Sequence, residues 1–175
     1  MAILQGKVWK YGDDVNTDVI FPGKYTYTIN DPNEMAKHAL EDLDPSFARN
    51  VQEDDIIVAG KNFGCGSSRE QAASCLKFAK VGAVLAKSFS RLYFRNAINT
   101  GLALVQCPEA VDTIKNGEIV RIDFEKGELT CKAGVFRFPP LPEFVLRIIQ
   151  DGGLIPHTKK KLARLTEDQL LEKGG

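Results

Sequence analysis

The stretch Asn62-Phe63-Gly64-Cys65-Gly66-Ser67-Ser68-Arg69-Glu70-Gln71 lies between a short apolar run, Ile56 to Ala59, and a helix-like run, Gln71 to Ala79. Its two glycines allow a tight turn and a close approach of backbone to a ligand. The serines stand three residues before Glu70 and Gln71, so Ser67-x-x-Glu70 and Ser68-x-x-Gln71 both fit a capping box and mark a helix start. Strand, glycine turn and helix N-terminus together make an anion cradle, with Gly64 and Gly66 as its backbone.

Working outward, Ala83–Ala86 and Leu102–Val105 read as further buried strands, and Arg69–Ala79 and Ser90–Asn99 as the helices between them. This β-α-β-α-β succession predicts a parallel sheet covered by helices. Gly82 and Gly101 stand where C-terminal helix caps belong. Upstream, Ile3 to Trp9 reads as a first strand, Gly12 to Asp18 as a polar turn and Val19-Ile20-Phe21 as a short return strand. Pro22 to Asn30 reads as a surface loop, and Asp31, Pro32 and Glu34 announce a helix from Pro32 to about Leu43. Downstream of Pro108, Ile119–Phe124, Leu129–Lys132 and Val135–Phe138 alternate as antiparallel strands about Asn116-Gly117 and Glu125–Glu128. Glu143 to Gln150 is a helix, and the charged tail from Leu154 carries a short helix from Thr166. The fold class is α/β, one domain with a parallel β-α-β-α-β core and additional antiparallel strands.

Basic and acidic residues number 23 each, so nothing in the net charge points to nucleic acid or an anionic membrane surface. The run Lys159 to Lys161 reads as a solvated helix face. No signal peptide or membrane-spanning run is evident, so a soluble cytoplasmic protein is expected. Cys65, Cys75, Cys107 and Cys131 form no C-x-x-C, and neither His38 nor His157 lies near a cysteine, which is poor metal-site spacing. The four read as reduced thiols, Cys65 alone being placed to meet a ligand. The loop Gly12–Asp18 misses the EF-hand spacing and reads as a structured turn.

The glycine stretch fails both familiar phosphate loops. A dinucleotide fingerprint needs glycine where Arg69 stands, and a P-loop needs Lys-Ser or Lys-Thr after the last glycine. Arg69 in a first helical turn opposes the macrodipole unless an anion joins it. A small acidic ligand held by the Arg69 fork, helix N–H groups and serine hydroxyls answers that conflict. A serine hydroxyl beside that cation is suited to proton abstraction next to a carboxylate, with no histidine base required. On pattern alone, the alternative is that Ser67 or Ser68 is only a cap.

Gly6-Lys7-Val8-Trp9, Asn16-Thr17-Asp18-Val19-Ile20, Gly60 through Glu70 and Lys87-Ser88-Phe89 resemble, in order over about residues 5 to 156, the small subunits of 3-isopropylmalate dehydratase, within the aconitase superfamily. The resemblance implies a β/β/α swivelling domain over 1–156, with 157–175 a charged C-terminal extension. It implies isomerisation of 2-isopropylmalate to 3-isopropylmalate by loss and return of water, in leucine biosynthesis. By position, Ser67 would carry the carbon-bound proton, Arg69 would bind a substrate carboxylate, Ser68 would lend hydrogen bonds and Asp18 would face the site. The departing hydroxyl would be helped by a [4Fe–4S] cluster on a large subunit, in a heterodimer or heterotetramer, this chain binding no metal and being inactive alone. Tyr27 and Thr28 lie in the substrate-selecting loop, Tyr27 standing where homoaconitase-type subunits carry an arginine. An extra carboxylate would there lack its partner, which disfavours homoaconitate and citrate. Another alkylmalate, a homoaconitate- or aconitate-type substrate, and a carboxylate-binding module without catalysis are the alternatives.

Overall fold

In the computed structural model, which describes residues 3–173 and side chains through Leu165, seven strands form one sheet in the order β4-β3-β2-β1-β5-β6-β7. These are β1 Ile3–Lys10, β2 Ile56–Ala59, β3 Ala83–Ala86, β4 Ala103–Gln106, β5 Ile119–Asp123, β6 Glu128–Cys131 and β7 Gly134–Arg137. The first strand joins two kinds of sheet. Val8 to Lys10 pair in parallel with Ile56 to Val58, whereas Ile3 to Lys7 pair antiparallel with Asp123 to Ile119.

The central strands are short continuous apolar runs because both their faces are covered. Ile57, Ala59, Val84, Ala86 and Leu104 enter one core, with Phe63, Ala72, Leu76 and Tyr93 from the crossover segments. Ile56, Val58, Ala83, Leu85 and Val105 enter the other, where the antiparallel half lays Val120, Ile122 and Leu129. The expected parallel core with added antiparallel strands is therefore present.

The helices are α1 Thr17–Ile20, α2 Pro32–Lys37, α3 Phe47–Asn50, α4 Gln71–Phe78, α5 Arg91–Thr100, α6 Pro108–Thr113, α7 Glu143–Gln150 and α8 Leu154–Lys173. Several boundaries differ from the expected ones. Val19 to Phe21 are not a strand, because Asn16 Oδ1 accepts from the amides of Asp18 at 2.8 Å and Val19 at 3.1 Å and starts α1. This side-chain cap outweighs the strand preference of Val19 and Ile20. The helix from Pro32 stops at Lys37, since Leu40 turns left-handed (φ 58°), is fully buried and donates its amide to the Ile20 carbonyl at 2.8 Å.

Gly101 caps α5 with φ 80°, as expected. Gly82 is no cap: α4 ends four residues earlier, and a Cβ at Gly82 would meet Leu4 Cδ1 at 2.6 Å. The tail helix begins at Leu154 rather than at Thr166. It is anchored where Asp151 takes the His157 ring at 2.7 Å and Lys160 at 2.6 Å, while Lys159 and Lys161 are exposed. Nothing in the sequence reading anticipated α3 or α6.

Candidate functional site

The loops that follow β1, β2 and β3 leave the sheet at its parallel carboxyl end and continue side by side. Asn16 bridges Cys65, and Phe63 bridges Phe89, each in parallel sense. The Gly64 amide donates to the Val15 carbonyl and the Thr17 amide to the Cys65 carbonyl, both at 2.8 Å. Carboxyl ends of parallel strands are where open α/β sheets present ligand sites.

Ser67 is positioned by a residue fifty places earlier. The Thr17 hydroxyl is almost wholly buried, accepts the Ser67 amide at 3.1 Å and lies 3.1 Å from Ser67 Oγ. Gly66 (φ 97°) makes that approach feasible, since a Cβ there would stand 3.1 Å from the same Thr17 oxygen. Arg69 Nε then donates to Ser67 Oγ at 2.7 Å. Nη1 of the guanidinium donates to Thr26 Oγ1 at 3.2 Å, and Nη2 is paired with Asp18 Oδ1. Gly23 opposite leaves room for the fork, because a Cβ there would meet Arg69 Nη1 at 2.8 Å.

The capping-box reading of both serines is corrected. Glu70 occupies the N-cap of α4 and no side chain caps it; Ser67 and Ser68 lie in the turn before the helix. Arg69 likewise precedes the helix, so no macrodipole conflict arises, and its guanidinium is paired with Asp18. The other glycine of the turn is Gly64. It is buried, its amide is used by Val15, and a Cβ would stand 2.1 Å from Tyr93 Cγ, so its φ of 75° serves packing against α5. Ser68 is exposed, and its carbonyl accepts from Asn96 Nδ2 at 2.9 Å, which ties the turn to α5. Tyr27 is 93% exposed beside Thr26, and Thr28 Oγ1 donates to the Lys24 carbonyl at 3.4 Å.

Thr17, Thr26 and Gly23 escaped the sequence reading. Each acts on Arg69 or Ser67 from more than forty residues away, and only the Asn16-Thr17-Asp18 motif offered a local sign of one of them.

The arrangement gives one alcohol a polar neighbour, Thr17, and a cation, Arg69. A guanidinium N–H pointing at Ser67 Oγ stabilises the alkoxide more than the alcohol. No histidine is free to serve as its base: His38 pairs with Glu41, and His157 with Asp151. Burial, with Asp14 nearby, pushes the Cys65 thiol up, so it stays protonated. Cys75 and Cys107 enter opposite cores, and all four cysteines are free thiols. Among the described residues no group of three or more His, Cys, Asp or Glu side chains could hold a metal ion. No helix among them is long and apolar enough to cross a membrane.

Residues 14–110 match the model of the aconitase C-terminal domain family. The 3-isopropylmalate dehydratase small subunit of Caldicellulosiruptor bescii is 51% identical over 164 residues, 93% of this chain and 98% of that protein. Small subunit 1 of the same enzyme from Archaeoglobus fulgidus is 49% identical over 156 residues, 88% of this chain and 96% of that one. The crystal structure of 3-isopropylmalate dehydratase from Methanocaldococcus jannaschii superposes with a TM-score of 0.88 at 42% identity, covering 95% of this chain and 99% of that chain.

Proposed function

The chain belongs to the 3-isopropylmalate dehydratase small subunits of the aconitase C-terminal domain family, and from that membership we propose that it supplies the base and the carboxylate clamp for converting 2-isopropylmalate to 3-isopropylmalate. The observation that carries the assignment of roles is the 2.7 Å hydrogen bond from Arg69 Nε to Ser67 Oγ. One cation there can both favour an alkoxide and hold a substrate carboxylate next to it.

Asp18 is the placeholder. Its carboxylate sits on Arg69 Nη2 with its side chain 63% exposed, so a substrate carboxylate takes over that contact without any rearrangement of the core. The carbon-bound proton beside that carboxylate passes to the Ser67 alkoxide. Its electron pair forms the double bond as the carbon–oxygen bond breaks, and the departing hydroxide takes up a proton to leave as water. Addition of water in the opposite sense, with Ser67 returning its proton to the other carbon, gives the isomer. Thr17 and Thr26 position the two groups, and Ser68, Tyr27 and Thr28 face the substrate from the exposed side. Tyr27 offers no charge to an additional carboxylate, which selects an alkylmalate over homoaconitate or citrate.

The thiols of this chain do not converge on a cluster site. A [4Fe–4S] cluster carried by a large partner subunit, in a heterodimer or heterotetramer in the cytoplasm, would supply Lewis acidity at the leaving hydroxyl; likeness to small subunits supports this reading. Every role given to this chain belongs to its own side chains.

The test is reconstitution with the cluster-bearing large subunit and a panel of 2-isopropylmalate, methylated malate and homoaconitate. Ser67→Ala is expected to lower kcat by roughly 10²–10⁴-fold, the usual worth of a positioned acid–base group, with assembly and Tm unchanged. Near-normal turnover by this variant would reduce Ser67 to a turn residue.

A further inference from the structure

At the opposite, amino-terminal end of the parallel strands lies a cavity of about 370 Å³, between the last turn of α4, the start of β4 and the end of α7. Its volume falls in the ~300–1,000 Å³ range of small-molecule sites. The floor is hydrocarbon: Ala103 and Phe124 from the second core, with Leu146 and Ile149 of α7. The rim is charged, and its charges are unequally satisfied.

Lys80 donates to Glu53 at 3.1 Å and so completes one pair. Lys77, half-buried on the same rim, makes no ion pair or side-chain hydrogen bond among the described residues, and neither does the Asp54 carboxylate. Burial pushes the Lys77 ammonium down, with Asp54 opposing the shift from beyond contact distance. The mouth is held in shape by a backbone bond from the Asp54 amide to the Lys80 carbonyl at 3.0 Å, both residues being left-handed (φ 70° and 64°). A partly desolvated ammonium and a nearby carboxylate, each without a direct partner, cost free energy that a ligand of opposite charges would recover. The four rim charges sum to zero, so a simple anion or cation gains less than a molecule carrying both signs.

We propose that this cavity binds a small aliphatic α-amino acid, its carboxylate on Lys77, its ammonium on Asp54 and its hydrocarbon side chain on Ala103, Phe124, Leu146 and Ile149. The site is separate from Ser67 and independent of the reaction assigned there.

The test titrates the full chain at pH 7 with L-leucine as probe, by calorimetry and by NMR of methyl-labelled Leu146 and Ile149. Saturable binding with shifts at both methyl positions is expected. Lys77→Gln and Asp54→Asn should each weaken it about 10–100-fold, the worth of one charge-assisted contact. Asparagine tolerates the left-handed backbone at position 54, which keeps the second variant informative if the first misfolds. The comparison ligands 4-methylpentanoate and 3-methylbutylamine, each lacking one charge, should bind more weakly than leucine to the same degree. Absence of saturable binding up to about 10 mM leucine, the weak end of specific small-molecule affinity, overturns the proposal. So does binding of leucine that is unchanged in Asp54→Asn.

Discussion

A serine hydroxyl is an indifferent base until something holds its oxygen as an anion, and the role proposed for Ser67 rests on Arg69, two residues on, together with Thr17, fifty residues back. Thr17→Val, which removes the contacts to both the Ser67 amide and Ser67 Oγ, should therefore lower kcat of the assembled enzyme at least about tenfold with KM nearly unchanged, about 1.4 kcal/mol or more. An equal fall with Thr17→Ser, which keeps the hydroxyl, would show that packing and not the contact matters. Arg69→Lys should raise KM about 10–100-fold, because a lysine gives up the planar two-point grip on a carboxylate. It should also lower kcat, since no single ammonium reproduces the bonds from Nε to Ser67 and from Nη1 to Thr26. Steady-state kinetics on the reconstituted pair separates the two effects. The sequence singles out the residues of the turn, but not their mutual geometry. Ser67-x-x-Glu70 is a local pattern that suggests a cap, but Ser67 and Arg69 also bond to Thr17, Asp18 and Thr26, forty-three to fifty-one residues away.

Elements were recovered where burial dictates them and missed where one side chain does. The strands β2, β3 and β4 are buried along nearly their whole length, and an apolar run is the only way to write such a strand. The helix α1 is four residues with a strand-like composition, started by two hydrogen bonds to Asn16. The same competition between local preference and one polar group recurs at Glu118, before β5. Its carboxylate accepts the amides of Lys115 at 3.0 Å and Lys132 at 2.6 Å, so it fastens the entry of β5 to the turn between β6 and β7. Those amide bonds, that of Lys115 foremost, hold the carboxyl below the usual glutamate range. A carboxyl lowered by folding stabilises the native state above its unfolded pKa of about 4.3 and loses that contribution as pH falls through the folded value. Acidification from pH 6 to pH 3 should thus lower the Tm of the native chain more than that of Glu118→Gln, followed by circular dichroism. Parallel Tm curves would remove Glu118 from the acid response.

Across the whole molecule, the two ends of the parallel strands carry different chemistry. The carboxyl end holds Ser67 and Arg69, and the amino end holds Lys77 and Asp54; α4 runs between them, beginning two residues after Arg69 and ending one after Lys77. The division proposed at residue 156 concerns how much of the tail this body needs. Asp151 secures α8 through His157 and Lys160, so removal of residues 166–175 should leave Tm within about 2 °C, below the shift expected for even 1 kcal/mol in a chain of this size. A larger drop by calorimetry would mean that the far end of α8 stabilises the body.

The position of β1 also governs how the protein is made. Ile3 to Lys7 have a single sheet neighbour, β5, at residues 119–123. On a ribosome adding roughly 5–20 residues per second, that partner follows the first strand by about 6–24 s. For this interval Ile3 to Lys7 keep an unpaired strand edge, the feature that invites association between chains. Closing that edge therefore depends on how soon β5 is made, a step that precedes any stability of the finished fold.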